Sequence, residues 1–535
     1  MPTQHIPYSE TGYFSKIICD YLDQKEQVRS FYHRFPDLEG FSAQIAEKSA
    51  FKTENREILV KALRKQYEKL EISDLTSENI SLLAESNTFT ITTGHQLNLF
   101  TGPLYFLYKI ISAIKLSRKL KQEHPNHNFV PVYWMATEDH DFDEINYFRL
   151  HGKKVKWNRP DIHNNNKGAV GNLSTEGLDA VHKQFCAEIG STKIAKELCD
   201  LFENSYLKHD NLAEATLYLA NHLFTAYGLV IIDANCRELK NLFIPYMEEE
   251  LKQQTSFNAV NPKTEALEVA GYNVQVNPRE INLFYLGKDY RERIIERDGN
   301  YFVHDKEIQF TQEEILEELH SNPEKFSPNV IMRPLYQEVI LPNLCYIGGG
   351  GELAYWFELR DYFEAVGVPF PILLLRNSAL IITEKQQEKI EKLNLSLKDV
   401  FLNQNDLVNR KIRKISNIDI DFSPQKEHLV KQFEAMYKIA EETDSTFLGA
   451  VKAQEVKQLK GLDALEKRLL KAQKRKLGDH VKRLTDLQNE LFPEQNLQER
   501  VGNFSEFYLE YGSDLVDKII DDLDPLKPDF TVITL

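Results

Sequence analysis

The sequence predicts an α/β protein with a parallel-sheet core, segments inserted between the core strands, and a C-terminal α-helical coiled coil. A β-type alternation at residues 88–93 is followed by a helical pattern at 104–120 and a second apolar β-type run at 128–136. A strand, a helix and a strand in this order indicate a βαβ unit with parallel strands. Residues 448–491 place leucine and valine at spacings of three and four among many lysines and glutamates, which indicates packed helices.

The composition is that of an ordinary globular chain with an excess of acidic residues. The 535 residues carry a formal net charge of −16, with 42% apolar and 27% charged residues. A general nucleic-acid or anionic-membrane binder needs a basic face, so we expect neither partner. The first residues lack the basic and apolar regions of a signal peptide, and no apolar run approaches membrane-spanning length. We therefore expect a cytoplasmic protein.

The cysteines are scattered along the chain without CxxC spacing. An odd number in this arrangement suits a reducing compartment and offers no metal-finger framework. We expect each one to be a small core residue rather than a nucleophile. The five are Cys19, Cys186, Cys199, Cys236 and Cys345.

Residues 1–150 are predicted to form an N-terminal helical cap and the first part of the core. The cap is expected from segments such as 55–70, which place apolar side chains on one helix face. The strand at 88–93 then leads into a turn at Gly94, followed by His95 and Gln96.

His95 would lie at the carboxyl edge of the sheet, beside the start of the helix that follows Gly102. Ligands bind at this edge in open parallel sheets. We expect His95 to donate a hydrogen bond to charge developing on a phosphate or acyl oxygen, aided by the helix terminus. The structural alternative is that His95 and Gln96 only cap a turn.

An acidic cluster at residues 138–144 directly follows the second β-type run. Parallel strands would bring it to the same sheet edge as His95. Its carboxylates could bind a divalent ion or an ammonium group, or supply a general base. A solvated acidic turn is the structural alternative.

Residues 151–325 are predicted to be connecting segments inserted into the core, first helical and then antiparallel. They include a polar loop at 163–168 and one buried core strand near 228–233. Asp298 and Gly299 lie between two alternating runs, as in a hairpin turn.

Residues 326–380 are predicted to form the second part of the core, with four glycines before a helix. Such glycines let backbone N–H groups approach a phosphate or carboxylate, but this run matches neither common phosphate-loop pattern and could be a permissive turn. Arg333 and Arg376 follow apparent strands, where a guanidinium can bind an anion, and Lys109 is a further candidate. The expected elements are strands at 330–334, 339–342, 345–347 and 370–375, glycines at 348–351 and a helix at 352–366.

Residues 381–492 are predicted to form an antiparallel two-helix coiled coil, and 493–535 a short helical return to the core. Glycine is rare in the first of these segments and charge is high, as expected for solvent-exposed helices. We interpret its leucine repeat as a packing or dimer seam.

Several of these motifs together resemble the bacillithiol biosynthesis cysteine-adding enzyme family, and the resemblance covers essentially the whole chain. It rests on Thr93-Gly94-His95-Gln96, Gly102-Pro103-Leu104-Tyr105, the run from Tyr133 to Asp141, Gly349-Gly350-Gly351-Glu352-Leu353-Ala354-Tyr355-Trp356, and Leu497-Gln498-Glu499-Arg500.

This resemblance implies a Rossmann-like core, connecting-peptide insertions and a coiled coil through which the protein forms a homodimer. The implied reaction joins L-cysteine to the amino group of glucosaminyl malate, the last step of bacillithiol biosynthesis. It implies ATP, or ADP, as the nucleotide, with Mg²⁺ as a further ligand. Gly94-His95-Gln96 would occupy the place of a phosphate-handling His-x-Gly-His motif, with one of its two histidines. Arg376-Asn377-Ser378 is the nearest candidate for a lysine-rich loop.

From these arguments we select two sets of candidate residues and assign no metal ligands. The catalytic candidates are His95, Gln96, Asp139, His140 and Asp141. The substrate- or nucleotide-binding candidates are Thr93, Gly94, Asn98, Gly102, Tyr105, Lys109, Glu138, Arg333, Gly349, Gly350, Gly351, Glu352, Tyr355, Trp356, Arg376 and Ser378.

Two other functions stay open at this point. The first is a metal-assisted hydrolase that uses His95 and the acidic cluster. The second is a non-catalytic coiled-coil scaffold with a nucleotide-binding core.

Overall fold

The computed structural model describes residues 3–159 and 168–535, so the loop predicted at 163–168 lies, except for Gly168, outside the described residues. By internal contacts the chain divides into two compact units. The first comprises Tyr13–Ile381 and Gln498–Leu535 with the N-terminal residues up to Ser9, and the second comprises Ile382–Leu497 with Glu10–Gly12.

The strands are β1 (Gln4–Pro7), β2 (Thr88–His95), β3 (Asn128–Met135), β4 (Tyr147–Leu150), β5 (Lys153–Lys156), β6 (Val230–Ile232), β7 (Leu283–Leu286), β8 (Arg291–Arg297), β9 (Asn300–Val303), β10 (Gln309–Thr311), β11 (Phe326–Pro328), β12 (Asn343–Gly348), β13 (Ile372–Leu375), β14 (Ala379–Ile382) and β15 (Asp529–Thr534). The helices are α1 (Tyr8–Thr11), α2 (Lys16–Leu22), α3 (Leu38–Lys48), α4 (Thr53–Gln66), α5 (Asp74–Leu82), α6 (Tyr105–Glu123), α7 (Phe142–Ile145), α8 (Leu178–Ile189), α9 (Lys193–Phe202), α10 (Leu212–Phe224), α11 (Arg237–Gln253), α12 (Thr255–Val269), α13 (Gln312–Ser321), α14 (Met332–Ile340), α15 (Gly350–Trp356), α16 (Arg360–Ala365), α17 (Glu384–Lys392), α18 (Leu397–Val400), α19 (Gln404–Ile415), α20 (Ser423–Glu441), α21 (Ser445–Lys476), α22 (Gly478–Leu491), α23 (Gln498–Val501), α24 (Phe504–Tyr511) and α25 (Asp514–Asp522).

A five-stranded parallel sheet in the order β13-β12-β2-β3-β6 is the core of the first unit. The central strand β2 is buried along its whole length, as its β-branched and aromatic residues favour. Phe89 of β2 packs in one apolar cluster with Phe41 of α3 and Leu116 of α6. The predicted α/β class and the β2-α6-β3 unit are confirmed.

Residues 330–342 are the clearest error of the sequence-based prediction. They contain helix α14 rather than two strands, so Arg333 lies in the first turn of a helix and does not follow a strand. The helix is buried on almost all sides, so its polar residues Gln337 and Glu338 lie in the interior and do not mark a solvent-exposed face. Pro334 is tolerated because it lies in the first helical turn.

The chain termini form a small sheet that the sequence did not predict. Strand β15 lies between β1 and β14, and Ile6 pairs with Phe530 in antiparallel register. The segment after residue 493 therefore contains a strand as well as α23, α24 and α25.

The inserted antiparallel segment forms a second five-stranded sheet, in the order β10-β9-β8-β7-β11. Its β8–β9 hairpin turns at Asp298 and Gly299, with φ angles of 52° and 78°. Both residues have the positive φ of a type I′ turn, so the predicted Asp-Gly hairpin is confirmed.

In the second unit, α20 and α21 form an antiparallel pair closed by a short turn. Tyr437 donates a hydrogen bond to Glu455 at 2.5 Å, and Lys426 lies 2.9 Å from Glu466 farther from the turn. Phe433 and Val451 pack in a small apolar cluster along the same seam. The helical C-terminal domain predicted from the leucine repeat is confirmed.

Four of the five cysteines differ from the expectation that each is a core residue, and two of these, Cys19 and Cys236, are half-buried and outside any disulfide. Cys186 of α8 and Cys199 of α9 are both half-buried and form a disulfide, with Cα atoms 5.7 Å apart. Cys345 is buried in the core as expected.

Across residues 3–159 and 168–535, none of the helices has both the length and the apolar character needed to cross a membrane.

Candidate functional site

A cavity of about 1350 Å³ opens at the carboxyl ends of the parallel strands. One part of its lining, here called the sheet-edge wall, is formed by Gly94 and His95 at the end of β2, Gly349–Gly351 after β12, and Arg376 after β13. A second part of the lining, here called the insertion wall, is formed by Phe284, Arg291, Arg293 and His304 of the inserted antiparallel segment. The cavity is larger than the 300–1,000 Å³ or so that one drug-sized ligand fills, so it has room for more than one substrate.

The imidazole of His95 lies at the end of β2 and is only 7% exposed. Burial, followed by the nearby Lys109 ammonium, lowers the pKa of His95 to about 3. The ring also makes a backbone hydrogen bond with Thr101, while its Nε2 atom has no hydrogen-bond partner. His95 is therefore neutral in the ligand-free site, with Nε2 left for a ligand.

Lys109 and Glu352 form an ion pair that joins the end of β2 to the glycine turn before α15. The Lys109 Nζ atom lies 2.7 Å from Glu352 Oε2 and donates a hydrogen bond to the Gly94 carbonyl at 2.6 Å. The same carboxylate accepts hydrogen bonds from Tyr346 Oη at 2.7 Å and from the Gly349 N–H at 2.8 Å. Burial acts to raise the pKa of Glu352, but the Lys109 charge together with the hydrogen bonds from Lys109, the Gly349 N–H and Tyr346 outweighs burial, and the pKa is lowered.

Gln96 connects two carboxylates at the mouth of the cavity. Its Nε2 atom donates to Asp139 Oδ2 and to Glu144 Oε2, both at 2.8 Å. Two carboxylates that converge on one N–H₂ group form a site where an ammonium group or a cation could take the place of the amide.

Arg376 is a buried arginine with one carboxylate partner. Its Nη2 atom donates to Glu499 at 2.7 Å, and its Nη1 atom donates to Ser378 Oγ at 3.0 Å. The guanidinium also lies over the Tyr105 ring, 4.9 Å from the centroid, and its Nε atom has no partner. Part of this side chain thus faces the cavity while Glu499 fixes its position.

Two other guanidinium groups at the cavity have only neutral hydrogen-bond partners. Arg333 donates to Gln337 at 3.2 Å and to Tyr355 at 3.4 Å. Arg291 is 8% exposed and donates to Ser327 Oγ, His140 Nδ1 and the Pro328 carbonyl at 3.1–3.2 Å. A buried charge with neutral partners is costly, so both positions favour an anionic ligand.

Most of the residues selected from the sequence meet at this cavity. Those that line it are Gly94, His95, Gln96, Tyr105, Lys109, Glu138, Asp139, His140, Arg333, Gly349, Gly350, Gly351, Glu352, Tyr355 and Arg376. Glu138 lies there as the partner of the fully buried Lys240, at 2.5 Å, so its charge is already compensated.

The other selected residues do not line the cavity but support its surroundings. They are Thr93, Asn98, Gly102, Asp141, Trp356 and Ser378. Thr93 bridges β2 to the Ile347 carbonyl at 2.8 Å, and Asp141 caps the short helix α7. Gly102 has φ 64°, and a Cβ there would approach the Cβ of Asn98 to 2.5 Å. Trp356 stacks on Tyr346 at 4.6 Å.

Several lining residues were missed by the sequence-based selection, and the most important are Arg291 and Arg293 of β8. A spacing of two places both side chains on one strand face, which was visible in the alternating run 291–297. Which face of β8 lines the cavity depends on how the whole inserted segment packs, and the sequence does not show this. Arg500, also missed, follows the Glu499 that positions Arg376.

Two family models together match almost the entire chain. The model described as Bacillithiol biosynthesis BshC, N-terminal Rossmann-like domain, matches residues 1–377, and the model described as Bacillithiol biosynthesis BshC, C-terminal coiled-coil domain, matches residues 379–535. The chain belongs to the BshC family. The family resemblance read from the sequence motifs is thus confirmed, together with the Rossmann-like and coiled-coil domains.

Individual BshC relatives match over nearly their full length. A protein of Christiangramia forsetii named "Putative cysteine ligase BshC" is 60% identical, and the match covers 100% of this chain and 99% of the relative. A relative of the same name from Flavobacterium johnsoniae is 59% identical, and the match covers 100% of both chains. One from Bacillus cereus is 28% identical, and the match covers 94% of this chain and 95% of the relative. A crystal structure titled as an arginyl tRNA synthetase of Campylobacter jejuni is 10% identical over 84% of this chain and 97% of that one, with a TM-score of 0.20, which supports no argument.

Proposed function

We propose that this protein is a cysteine ligase that joins the carboxyl group of L-cysteine to the amino group of glucosaminyl malate, the last step of bacillithiol biosynthesis. Relatives across the family carry the name cysteine ligase. The observation that carries the proposal is the cavity itself, which is lined by buried guanidinium groups with neutral partners, by the glycine turn before α15 and by an unpartnered imidazole nitrogen. This arrangement suits a reaction between several anionic and zwitterionic substrates.

The sheet-edge wall is the proposed nucleotide site. An amine does not attack a free carboxylate, and ATP with Mg²⁺ would supply the activation that amide formation needs. The Gly350 and Gly351 turn at the start of α15 offers backbone N–H groups at close approach, and a Cβ at Gly351 would meet nothing within 4 Å. Arg376 Nε and His95 Nε2 are further polar atoms without partners. Bound phosphates would raise the pKa of His95, so that Nε2 could take up a proton and donate to an oxygen.

The carboxylates around Gln96 are the proposed site for an ammonium group. Asp139 and Glu144 already converge on one N–H₂ donor, and an ammonium group presents three donors to the same acceptors. Binding there would keep the amine of one substrate beside the sheet-edge wall until it loses its proton and attacks. The same oxygen atoms are the ligands that Mg²⁺ prefers.

The insertion wall is the proposed site for the malate carboxylates. Arg293 lies on the same face of β8 as Arg291, and neither has a carboxylate within ion-pair distance in the described part of the chain. Arg333 lines the same cavity. A dicarboxylate would neutralise these guanidinium charges. Glu138 is not available for this, because it already pairs with Lys240.

A matched pair of variants on one strand tests this assignment. Arg293→Met removes a cavity guanidinium, whereas Arg297→Met removes an exposed one at the far end of β8, outside the cavity. With purified protein, cysteine, glucosaminyl malate and ATP–Mg, mass spectrometry identifies the thiol and nucleotide products. We expect Arg293→Met to raise the KM for glucosaminyl malate at least tenfold, equal to about 1.4 kcal/mol. Absence of the amide product with the wild-type protein would refute the ligase proposal.

The hydrolase alternative has less support from the geometry. His140 Nδ1 accepts a hydrogen bond from the Arg291 guanidinium, which places a positive charge where a metal would bind. Among the described residues, the cluster with metal-ligating spacing lies away from this cavity, at His182, Cys186 and Cys199. Metal-dependent turnover without nucleotide would nevertheless favour the hydrolase, and normal cellular thiol content without the protein would favour a scaffold.

The homodimer and the cytoplasmic location also remain proposals. Large apolar side chains stay exposed on α20 and α21, among them Ile439 at 62% and Leu465 at 52%. An exposed apolar stripe on a helix pair is typical of a seam that a second copy covers.

A further inference from the structure

The half-buried thiol pair Cys186 and Cys199 is the cluster of reactive side chains that the proposed ligase reaction does not use. The two residues lie on neighbouring helices, with Cα atoms 5.7 Å apart, inside the ordinary range for a disulfide. His182 lies one turn before Cys186, and one of its ring nitrogens is within 4.8 Å of both sulfur atoms. Its Nε2 atom donates to the Cys199 carbonyl at 3.1 Å, which fixes the ring beside the pair.

The thiol pair is connected through aromatic rings to the loop that follows His95. Phe185 precedes Cys186, Phe202 lies one turn after Cys199, and the two rings lie 5.0 and 5.3 Å from the ring of Phe100. Phe100 has φ 48° and Thr101 has φ 68°, conformations that L-residues adopt only when their surroundings impose them. Tyr206 supports the same turn by its contact with the Phe100 N–H at 2.8 Å.

His95 depends on this turn, because its ring bonds to the Thr101 backbone. The helix pair α8–α9 therefore supplies part of the packing that keeps the His95 loop in a strained conformation. A covalent link between these two helices limits how far Phe185 and Phe202 can separate.

We propose that Cys186 and Cys199 form a thiol–disulfide exchange site that reacts with low-molecular-weight disulfides, and that its oxidised state rigidifies the loop between His95 and Gly102. This inference rests on the thiol pair and the aromatic contacts and does not depend on the ligase activity.

The exchange proceeds in two balanced steps. A thiolate of the pair attacks one sulfur of the small disulfide, which breaks that S–S bond, forms a mixed disulfide and releases one small thiol. The second protein thiolate attacks the protein sulfur of the mixed disulfide and releases the second small thiol. The protein loses two electrons and two protons, and the small disulfide gains them. The neighbouring His182 can accept the proton of the attacking thiol.

The experiment uses the full-length protein, 2-hydroxyethyl disulfide as oxidant and 2-mercaptoethanol as reductant. Peptide mapping by mass spectrometry measures the fraction of the Cys186–Cys199 bond, and hydrogen exchange measures protection of residues 96–104. We expect the bond to form and reopen with the ratio of disulfide to thiol, and exchange at 96–104 to be roughly tenfold slower in the oxidised protein. Cys186→Ser should show the faster exchange in both buffers. Cys236→Ser is the matched control, because it removes a half-buried cysteine elsewhere and should behave as the wild type.

Three outcomes would overturn the proposal. The first is that no bond between these two cysteines forms in excess 2-hydroxyethyl disulfide. The second is that the bond forms while exchange at 96–104 stays unchanged, which would confine its effect to α8 and α9. The third is that the reduced protein binds one Zn²⁺ per chain in a manner lost in Cys186→Ser, which would identify a metal site instead.

Discussion

Replacement of Lys109 by Met tests the network that joins the end of β2 to the glycine turn before α15. The change removes the cation at 2.7 Å from the Glu352 carboxylate and the hydrogen bond to the Gly94 carbonyl, while it keeps a long apolar side chain in place. Glu352 would keep only its contacts with Tyr346 and the Gly349 N–H. The buried carboxylate would then have no compensating charge.

The expected loss follows from the burial of the two partners. Removal of one member of a buried ion pair costs about 3–5 kcal/mol. The Lys109 side chain is 5% exposed, but that of Glu352 is 27% exposed and can gain some hydration. We therefore expect a decrease of ~3 kcal/mol in the free energy of unfolding at pH 8. Adding Glu352→Gln should restore part of it, with a coupling energy of about 1–3 kcal/mol.

The loss should also depend on pH. In the wild type, burial tends to raise the pKa of Glu352, the Lys109 charge lowers it, and the net result is a lowered pKa. The ionised Glu352 carboxylate therefore stabilises the folded state above the usual pKa of a glutamate, and this contribution is lost only in acid. Without Lys109 the hydrogen bonds from Tyr346 and the Gly349 N–H still act to lower the pKa of Glu352, but the largest lowering effect is lost and the pKa rises. The variant can then protonate Glu352 as the pH falls from 8 to 5, and its deficit should become smaller.

Guanidinium denaturation followed by tryptophan fluorescence measures the effect in the relevant part of the molecule. The three tryptophans, Trp134, Trp157 and Trp356, all lie in the first unit, so the signal reports its unfolding and not that of the coiled coil. A deficit below 1 kcal/mol at pH 8, or one that is equal at pH 8 and pH 5, would refute the argument.

Three further predictions address the imidazole, a buried acid and the helix pair. His95→Ala should reduce amide formation by about 10²–10³-fold in a coupled assay. Its free energy of unfolding, measured by fluorescence, should stay within about 1 kcal/mol of the wild type. Normal turnover would remove His95 from the mechanism. Burial raises the pKa of Glu358 to about 7, so the folded state binds a proton that the unfolded state releases, and wild-type stability should fall as the pH rises from 5 to 8. Glu358→Gln should abolish up to about 3 kcal/mol of this fall in the same denaturation assay, and parallel pH curves would contradict it. Ile439→Lys should convert a dimer to a monomer in sedimentation velocity, and an unchanged dimer would place the seam elsewhere.

The parts of the fold that could be predicted from sequence are those with a local signal. Alternation in β2, the three-four spacing of α6 and the Asp298-Gly299 turn are each set by neighbouring residues. Helix α14 was misread because it is buried on almost all sides, and the apolar residues at its two ends resemble short buried strands. The sheet of the chain termini has no local signal, since Ile6 pairs with a residue more than 500 positions away.

The candidate site shows the same division. The sheet edge could be anticipated because parallel strands bring their carboxyl ends together, which placed His95 and the glycine run beside one cavity. The insertion wall could not, because the position of Arg293 depends on how an antiparallel sheet packs against a parallel one. Motif-based selection also included residues such as Thr93, whose hydroxyl bridges two strands instead of facing the cavity.

The positive groups of the cavity fall into two classes, and this distinction determines where an anionic substrate can bind. Lys109, Lys240 and Arg376 each have a carboxylate partner at 2.5–2.7 Å, so an anion that approached them would compete with Glu352, Glu138 or Glu499. Arg291 and Arg333 have only neutral hydrogen-bond partners among the described residues. An anion gains most free energy where the protein has not already neutralised the cation. The paired cations therefore shape the cavity, and the dicarboxylate site is expected at the guanidinium groups that have no carboxylate hydrogen-bond partner.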